Sequence, residues 1–254
     1  MEKLWNNLIK GLRKHLEENG FDKVILGLSG GLDSAVVGVL ASEVLGGKNV
    51  KALMMKTKFT SDLSLKIARE IAQLNNFDYQ EIDIDDLVEF ETKLLKNAFN
   101  EDVKEIVVEN LQARIRGQIL MAYSNQFGGM VLGCSNKSEA MTGYCTLYGD
   151  TCGGVMPIGG VYKSKIFELA RWLNKDKIRL PKEVINRAPT AELSEGQRDD
   201  NVLPSYKILD DILEKIENAK TDELKENKDI INKVKRMVEK SAFKRAQMPP
   251  ILDV

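Results

Sequence analysis

Apolar residues recur at helical spacing through the first twenty positions. Leu4, Trp5, Leu8, Leu12 and Leu16 share one face, which predicts an amphipathic helix over residues 2–19, ended near Gly20. The pattern then changes. Lys23 to Leu28 is a short apolar run that reads as a buried strand, and Ser34 to Leu45 is apolar on nearly every side, a buried helix that stops at Gly46-Gly47. A strand, a glycine turn and a buried helix make half of a βαβ unit. The other half follows: Val50 to Met55 reads as a strand, Ser61 to Leu74 as a helix with Leu65, Ala68, Ile71 and Ala72 inward, and Tyr79 to Ile84 as a third strand. Apolar strands alternating with helices predict a parallel sheet covered on both faces and wound by right-handed crossovers.

From Ile84 to Gln126 the pattern is mainly helical, with a buried stripe of Leu111, Ile115, Ile119 and Ala122 in its later part. Met130 to Cys134 reads as a fourth strand. After it comes SNKSEAMTGYCTLYGDTCGG, polar and glycine-rich, the kind of segment that carries function when it follows a strand. Lys163 to Leu173 is another helix, with Ile166, Leu169, Ala170 and Leu173 on one face. Pro181 and Pro189 interrupt the chain, and Glu192 to Leu203 reads as a polar loop. Amphipathic helices over Ser205 to Ile216 and Glu223 to Lys240 precede the tail SAFKRAQMPPILDV. The expected class is α/β: a doubly wound, mainly parallel sheet of about five strands with helices on both faces. Residues 1–254 are expected to form one domain, with a helical C-terminal extension from about 205. In such sheets ligands sit beyond the carboxyl ends of the strands.

Lysine and arginine number 37 against 38 aspartates and glutamates, a formal net charge of −1. No global basic field draws the chain to nucleic acid or an anionic membrane, and neither partner is expected. The apolar runs fall short of the ~20 residues that span a bilayer. The N-terminus mixes charge with apolar residues instead of forming a signal core, so a cytoplasmic location is expected. Cys134, Cys145 and Cys152 have neither CxxC nor zinc-site spacing and read as reduced thiols. His15, the only histidine, lies beside the apolar stripe of the first helix.

The chemistry concentrates in VILGLSGGLDSAVV, residues 24–37. A Walker A loop needs a lysine after its last glycine to reach the terminal phosphates. Here Leu32-Asp33-Ser34 follows Gly31 instead. Two glycines permit close backbone approach, the Ser29 and Ser34 hydroxyls add donors, and the following helix N-terminus favours an anion. An aspartate in such a nest repels phosphate unless a cation lies between them, so Asp33 reads as a magnesium ligand.

Ser29 to Ser34 resembles the pyrophosphate-binding loop of the N-type ATP pyrophosphatases, which split ATP into AMP and pyrophosphate while adenylating an acceptor. Four further stretches narrow the resemblance: Asn110-Leu-Gln-Ala-Arg114-Ile-Arg116, Gly133-Cys134-Ser-Asn-Lys-Ser-Glu139, Gly143-Tyr-Cys-Thr-Leu-Tyr-Gly149-Asp150 and Pro189-Thr190-Ala-Glu-Leu. In this order, with the tail Phe243-Lys244-Arg245 and Met248-Pro249-Pro250, they resemble ammonia-dependent NAD synthetase over nearly the whole chain.

The resemblance implies the reaction deamido-NAD + ATP + ammonia → NAD + AMP + pyrophosphate through an acyl-adenylate. It implies ATP contacts at Gly27, Leu28, Ser29, Gly30, Gly31, Leu32, Asp33 and Ser34, and at Cys134, Lys163 and Thr190. Mg²⁺ is implied between Asp33 and Glu139. Lys163 is implied to contact phosphate, where a point charge suits the transition state. Asp150 is implied to handle ammonia, since a carboxylate attracts ammonium and accepts its proton once desolvated. Arg114 and Lys244 are implied to meet deamido-NAD. Arg116, two residues on, projects from a different helix face and cannot serve in the same way as Arg114.

Three positions depart from one branch of the family. Leu147, Gly154 and Phe243 stand where that branch has a lysine, an aspartate and a histidine that serve deamido-NAD. The adenylation machinery carries over; the details of dinucleotide recognition do not. With the 254 residues taken up by this unit and no cysteine in a glutaminase-like setting, the expected donor is free ammonia, or ammonia from a separate subunit. The resemblance also implies a homodimer. A tRNA-modifying adenylase with the same loop is the alternative enzyme, opposed by the near-neutral charge and the absence of CxxC. A non-catalytic ATP-binding module is the alternative of another class, and it leaves Asp33, Glu139 and Lys163 without a joint purpose.

Overall fold

The computed structural model describes residues 1–197, 199–220, 223–224 and 226–253. Its helices and strands follow in the order α1 (Glu2–Glu18), β1 (Val24–Gly27), α2 (Leu32–Leu45), β2 (Val50–Lys56), α3 (Asp62–Asn75), β3 (Asp78–Asp83), α4 (Asp85–Phe99) and α5 (Glu105–Phe127). Then come β4 (Met130–Val131), α6 (Lys137–Thr142), α7 (Lys163–Leu173), α8 (Lys182–Asn186), α9 (Tyr206–Glu217), α10 (Lys228–Lys240) and α11 (Ala242–Arg245). All pairings within the sheet are parallel, in the order β3-β2-β1-β4.

Side chains on each strand alternate between two cores, as the two-residue period of an extended chain requires. Val24, Leu26, Ala52 and Met54 face α1, α2, α3 and α7, while Ile25, Leu53 and Met55 face α4 and α5. Both faces of the sheet are therefore covered at its centre, which is why β1 and β2 read as apolar runs, whereas the edge strand β3 (Asp78–Asp83) is mostly polar and has no buried position. Helix α2 has ten buried residues around its circumference. Helix α1 buries Trp5, Leu8, Leu12 and Leu16, the stripe expected from its spacing. A separate apolar cluster joins Leu203, Leu209, Ile212, Leu213 and Val234 of the C-terminal helices, with Met141 and Tyr144 packed against it.

Several expectations need correction. Among the described residues the sheet has four strands, not five. The chain beyond the glycine-rich segment pairs only at single points, Leu132 with Val155 and Met156 with Ile251. Gly153, at φ +135°, and Pro157, which has no N–H, end the ladder on either side. The same break shortens β4 to Met130–Val131, where a strand to Cys134 is expected. Helix α2 starts at Leu32 and not Ser34, because Gly31 is its N-cap. The span 84–126 is two helices, separated where Asn100 turns into the left-handed region at φ 56°. The last long helix starts at Lys228 and not Glu223; residue 225, inside the expected helix, and 198, inside the expected polar loop, lie outside the described residues.

Candidate active site

The strand order reverses at β1, since β2 and β3 lie on one side of it and β4 on the other. At such a switch point the loops diverge and leave a crevice beyond the strand ends. A cavity of about 610 Å³ occupies that place, large enough for a nucleotide. The glycine loop leaving β1 forms its floor. Leu28 stays buried, its N–H donating to the Leu53 carbonyl at 2.9 Å. Gly30 takes φ +77°, and a Cβ there would lie 2.4 Å from the Ser64 carbonyl oxygen. Only glycine fits. Gly31 caps α2 without any side-chain hydrogen bond, so the first-turn N–H groups keep their capacity for an anion. The Ser29 and Ser34 hydroxyls lie 3.2 Å apart, and Ser34 also donates to the Gly31 carbonyl at 3.1 Å.

Where the loop enters α2, a charge cluster gathers from three elements, α2, α6 and α7. Lys163, at the start of α7 and 3% exposed, donates from Nζ to Asp33 and lies 3.9 Å from a Glu139 carboxylate oxygen. Asn136 Nδ2 donates to Asp33 at 3.3 Å. Asn136 and Glu139 also form a capping box at the start of α6, which fixes the Glu139 side chain. Burial pushes Glu139 up to about 8, the Asp33 charge adds to this, and Lys163 opposes it. Burial works against the charge of Lys163, but Asp33 and Glu139 outweigh it and raise its pKa. The ammonium is therefore held charged against the Asp33 carboxylate, with the Glu139 carboxyl group 3.9 Å away.

One buried residue outside the cavity ties this cluster together. The Asp210 carboxylate, from α9, accepts from the Ser138 hydroxyl and from Ser164 N–H at 2.8 Å. The Ser138 hydroxyl in turn accepts from Lys163 N–H at 2.9 Å. A carboxylate from α9 thus caps α7 and holds α6 beside it, a favourable placement at a helix N-terminus.

Asp150 lines a side wall. Its Oδ1 accepts from Thr146 N–H at 2.6 Å and its Oδ2 from the Ser135 hydroxyl at 3.4 Å. More than a third of its surface is open, yet it lies within the cavity and surrounded by protein. That enclosure raises its pKa against the pull of its hydrogen bonds and of Lys244. Lys244 donates to the Gly143 and Cys145 carbonyls at 2.8 and 2.6 Å. Cys134 lines the cavity with its thiol raised by burial, then by Asp33. Thr190 lines the opposite rim, where its hydroxyl donates to the Gln197 carbonyl at 2.5 Å.

Two residues apart on α5, Arg114 and Arg116 separate. Arg114 is exposed and donates to the Leu147 carbonyl at 3.2 Å, outside the cavity; Arg116 lines the cavity and donates to the Met55 carbonyl at 3.1 Å. Phe243 is 59% exposed, and Gly154 packs so closely on Met130 that a Cβ would lie 2.8 Å from it. Any side chain at Gly154 requires Met130 to move. Glu192, a cavity residue that the sequence does not single out, accepts from the Ser61 and Ser64 hydroxyls at 2.8 and 2.9 Å and from Arg187 at 3.0 Å. Asn136 carries a sequence signal, the Asn-x-x-Glu spacing of a capping box. Asp210 carries none.

Among the described residues no group of three or more His, Cys, Asp or Glu could hold a metal ion by itself. The oxygen-only pair of Asp33 and Glu139 does fit Mg²⁺, which takes one or two carboxylates and completes its shell with phosphate oxygens and water.

A protein-family model described as NAD synthase matches residues 4–249. The glutamine-dependent NAD(+) synthetase of Thermotoga maritima is 42% identical over 253 residues, covering 97% of this chain and 44% of its own length. The chain spans about half the length of the curated relatives it matches. Among solved structures, the NH3-dependent NAD synthetase of Campylobacter jejuni superposes with a TM-score of 0.81 at 30% identity, covering 99% of this chain and 98% of its own. The NMN synthetase of Francisella tularensis superposes at 0.83 with 27% identity, covering 96% and 95%.

Proposed function

The chain belongs to the NAD synthase family, and on that premise we propose that it amidates deamido-NAD to NAD, using ATP and ammonia and releasing AMP and pyrophosphate. The observation that carries this reading is the cluster of Asp33, Glu139 and the buried Lys163 gathered at an uncapped helix N-terminus. The uncapped N–H groups and the Ser29 and Ser34 hydroxyls receive the phosphates of ATP that leave as pyrophosphate. Asp33 and Glu139 would hold Mg²⁺, which when bound neutralises charge on the phosphate oxygens. The Lys163 ammonium, released from Asp33, serves the same oxygens. Asp150, its pKa raised by enclosure within the cavity, would draw ammonium in and take its proton, leaving neutral ammonia to open the acyl-adenylate.

The nearest alternatives differ in the acceptor and in the source of nitrogen. AMP and pyrophosphate release is measured with deamido-NAD, with tRNA and with no acceptor, each with ammonium and with glutamine. The reading expects release only with deamido-NAD and ammonium; release independent of deamido-NAD would overturn it. Asp33→Asn is expected to abolish turnover and weaken the magnesium dependence. We also propose a cytoplasmic homodimer. No helix among the described residues is long and apolar enough to cross a membrane. Leu87, Phe90 and Leu94 form an exposed apolar stripe on α4 suited to a second copy. Sedimentation should show a dimer that Phe90→Asp weakens.

A further inference from the structure

Among the described residues four cations line the cavity: Arg116, Lys163, Arg187 and Lys244. Their partners differ. Lys163 is paired with Asp33 and Glu139, and Arg187 with Glu192 and the Ser64 hydroxyl. Lys244 gives its protons to two backbone carbonyls, and the family resemblance implies deamido-NAD as its ligand. Arg116 spends only Nε, on the Met55 carbonyl at 3.1 Å. Its two Nη groups, with four N–H donors between them, have no acceptor among the described residues. Burial pushes its pKa down to about 10, opposed by the charges of Asp85 and Glu192, so it remains a cation at neutral pH. A half-buried cation with unused donors on a cavity wall is costly until an anion meets it.

Its position identifies the anion. Met55 lies on β2, the neighbour of β1, and Leu28 N–H donates to the Leu53 carbonyl across that pair. The register pairs Gly27 with Leu53, so the Met55 carbonyl that holds the guanidinium lies two residues further along β2, toward the end of the sheet where the Ser29–Ser34 loop leaves β1, and Arg116 lines the same cavity as Ser29, Gly31 and Ser34. The helix that carries it cannot turn away. Gly117 lies so close to the 148–149 turn that a Cβ would be 2.9 Å from the Tyr148 carbonyl oxygen. The planar fork of a guanidinium matches two oxygens of one phosphate, which a lysine cannot reproduce.

We propose that Arg116 is a substrate-binding residue whose Nη groups hold two oxygens of an ATP phosphate bound over the Ser29–Ser34 loop. This rests on the NAD-synthesis reading for its choice of nucleotide. A phosphate of deamido-NAD has the same chemistry, so the test separates the two sources. Binding of the ATP analogue AMP-PNP with magnesium in the absence of any acceptor, so that its α–β bond is not cleaved, and separately of deamido-NAD, is measured by calorimetry on the wild type, Arg116→Lys and Arg116→Gln. The expected result for Arg116→Gln is roughly ten- to hundredfold weaker AMP-PNP binding, the loss that follows when charged hydrogen bonds are removed, with deamido-NAD binding changed less than about twofold. Arg116→Lys should fall between the two. Unchanged AMP-PNP binding, or a loss confined to deamido-NAD, would overturn the proposal.

Far-UV circular dichroism and thermal melting check that the variants fold. A variant-free arm covers their failure: AMP-PNP should protect Arg116 of the wild type from phenylglyoxal, with the modified residue read by mass spectrometry. Equal modification with and without AMP-PNP would refute the contact. If the wild type bound AMP-PNP through Arg116 but released no pyrophosphate with deamido-NAD, the proposed reaction would fail and the phosphate contact would stand.

Discussion

The floor of the cavity comes from the 27–34 loop, contiguous in the chain, whereas the wall facing it draws Glu139 from α6 and Lys163 from α7, supported by Asn136, the N-cap of α6, and by Asp210 from α9. The floor works through backbone. Its N–H groups point from a helix N-terminus, and its geometry depends on the absence of a side chain at Gly30. The wall works through charge: Glu139 and the buried Lys163 ammonium, which reaches across to Asp33 at the start of α2, are brought to a separation that only folding creates. A change in the floor should therefore act on folding and binding together. A change in the wall can disable chemistry while leaving the backbone in place.

The comparison is tested hardest at Lys163. Lys163→Met leaves Asp33 and Glu139 without their cation, which should cost about 3 kcal/mol of stability in urea denaturation and lower pyrophosphate release by roughly two orders of magnitude or more. A stable, active variant would show that charge does not hold the wall. Next comes the floor. Gly30→Ala forces a Cβ against the Ser64 carbonyl at a left-handed φ, an expected loss of about 2 kcal/mol with ATP-analogue binding weakened in parallel. If stability fell but binding were intact, the loop would not be the phosphate floor.

Asp210→Asn keeps an acceptor for Ser164 N–H but removes the charge, so about 1 kcal/mol of stability should go. Its kcat should fall more than its KM for ATP, because Lys163 and Glu139 lose their common support. Equal changes in both would make Asp210 a fold residue alone. The smallest effect is expected at Glu192→Gln, which weakens the charged bonds to Ser61, Ser64 and Arg187 by about 1 kcal/mol or less. It should speed limited proteolysis between residues 187 and 197. An unchanged cleavage rate would show that the Glu192 contacts do not hold that segment down.

Much of the molecule is legible in the pattern of the chain. Strands β1, β2 and β3, helices α1, α2, α3 and α7, and the glycine loop between β1 and α2 all depend on residues near one another in sequence. The sheet edge was harder to read because its pairing is non-local. Met130 to Cys134 has the composition of a longer strand, but the partner that would extend it is broken by Gly153 and Pro157. The two arginines of α5 show a second limit. Each lies one residue from Ile115 on opposite sides of the buried stripe, so helical periodicity treats Arg114 and Arg116 alike. The packing of α5 against β1 and the 148–149 turn brings Arg116 into the cavity and leaves Arg114 outside.

By itself the sequence determined the local devices: a glycine where only glycine fits, an aspartate in place of the Walker lysine, an Asn-x-x-Glu cap before Glu139, and apolar runs that demand a sheet covered on both faces. Each acts over a few residues, and local sterics and hydrogen bonding decide it. The tertiary structure alone decided that Lys163 reaches Asp33 from 130 residues away, that Asp210 caps a helix other than its own, and which arginine faces the cavity. Those depend on how elements distant in the chain pack, and no periodicity within one element encodes that relation.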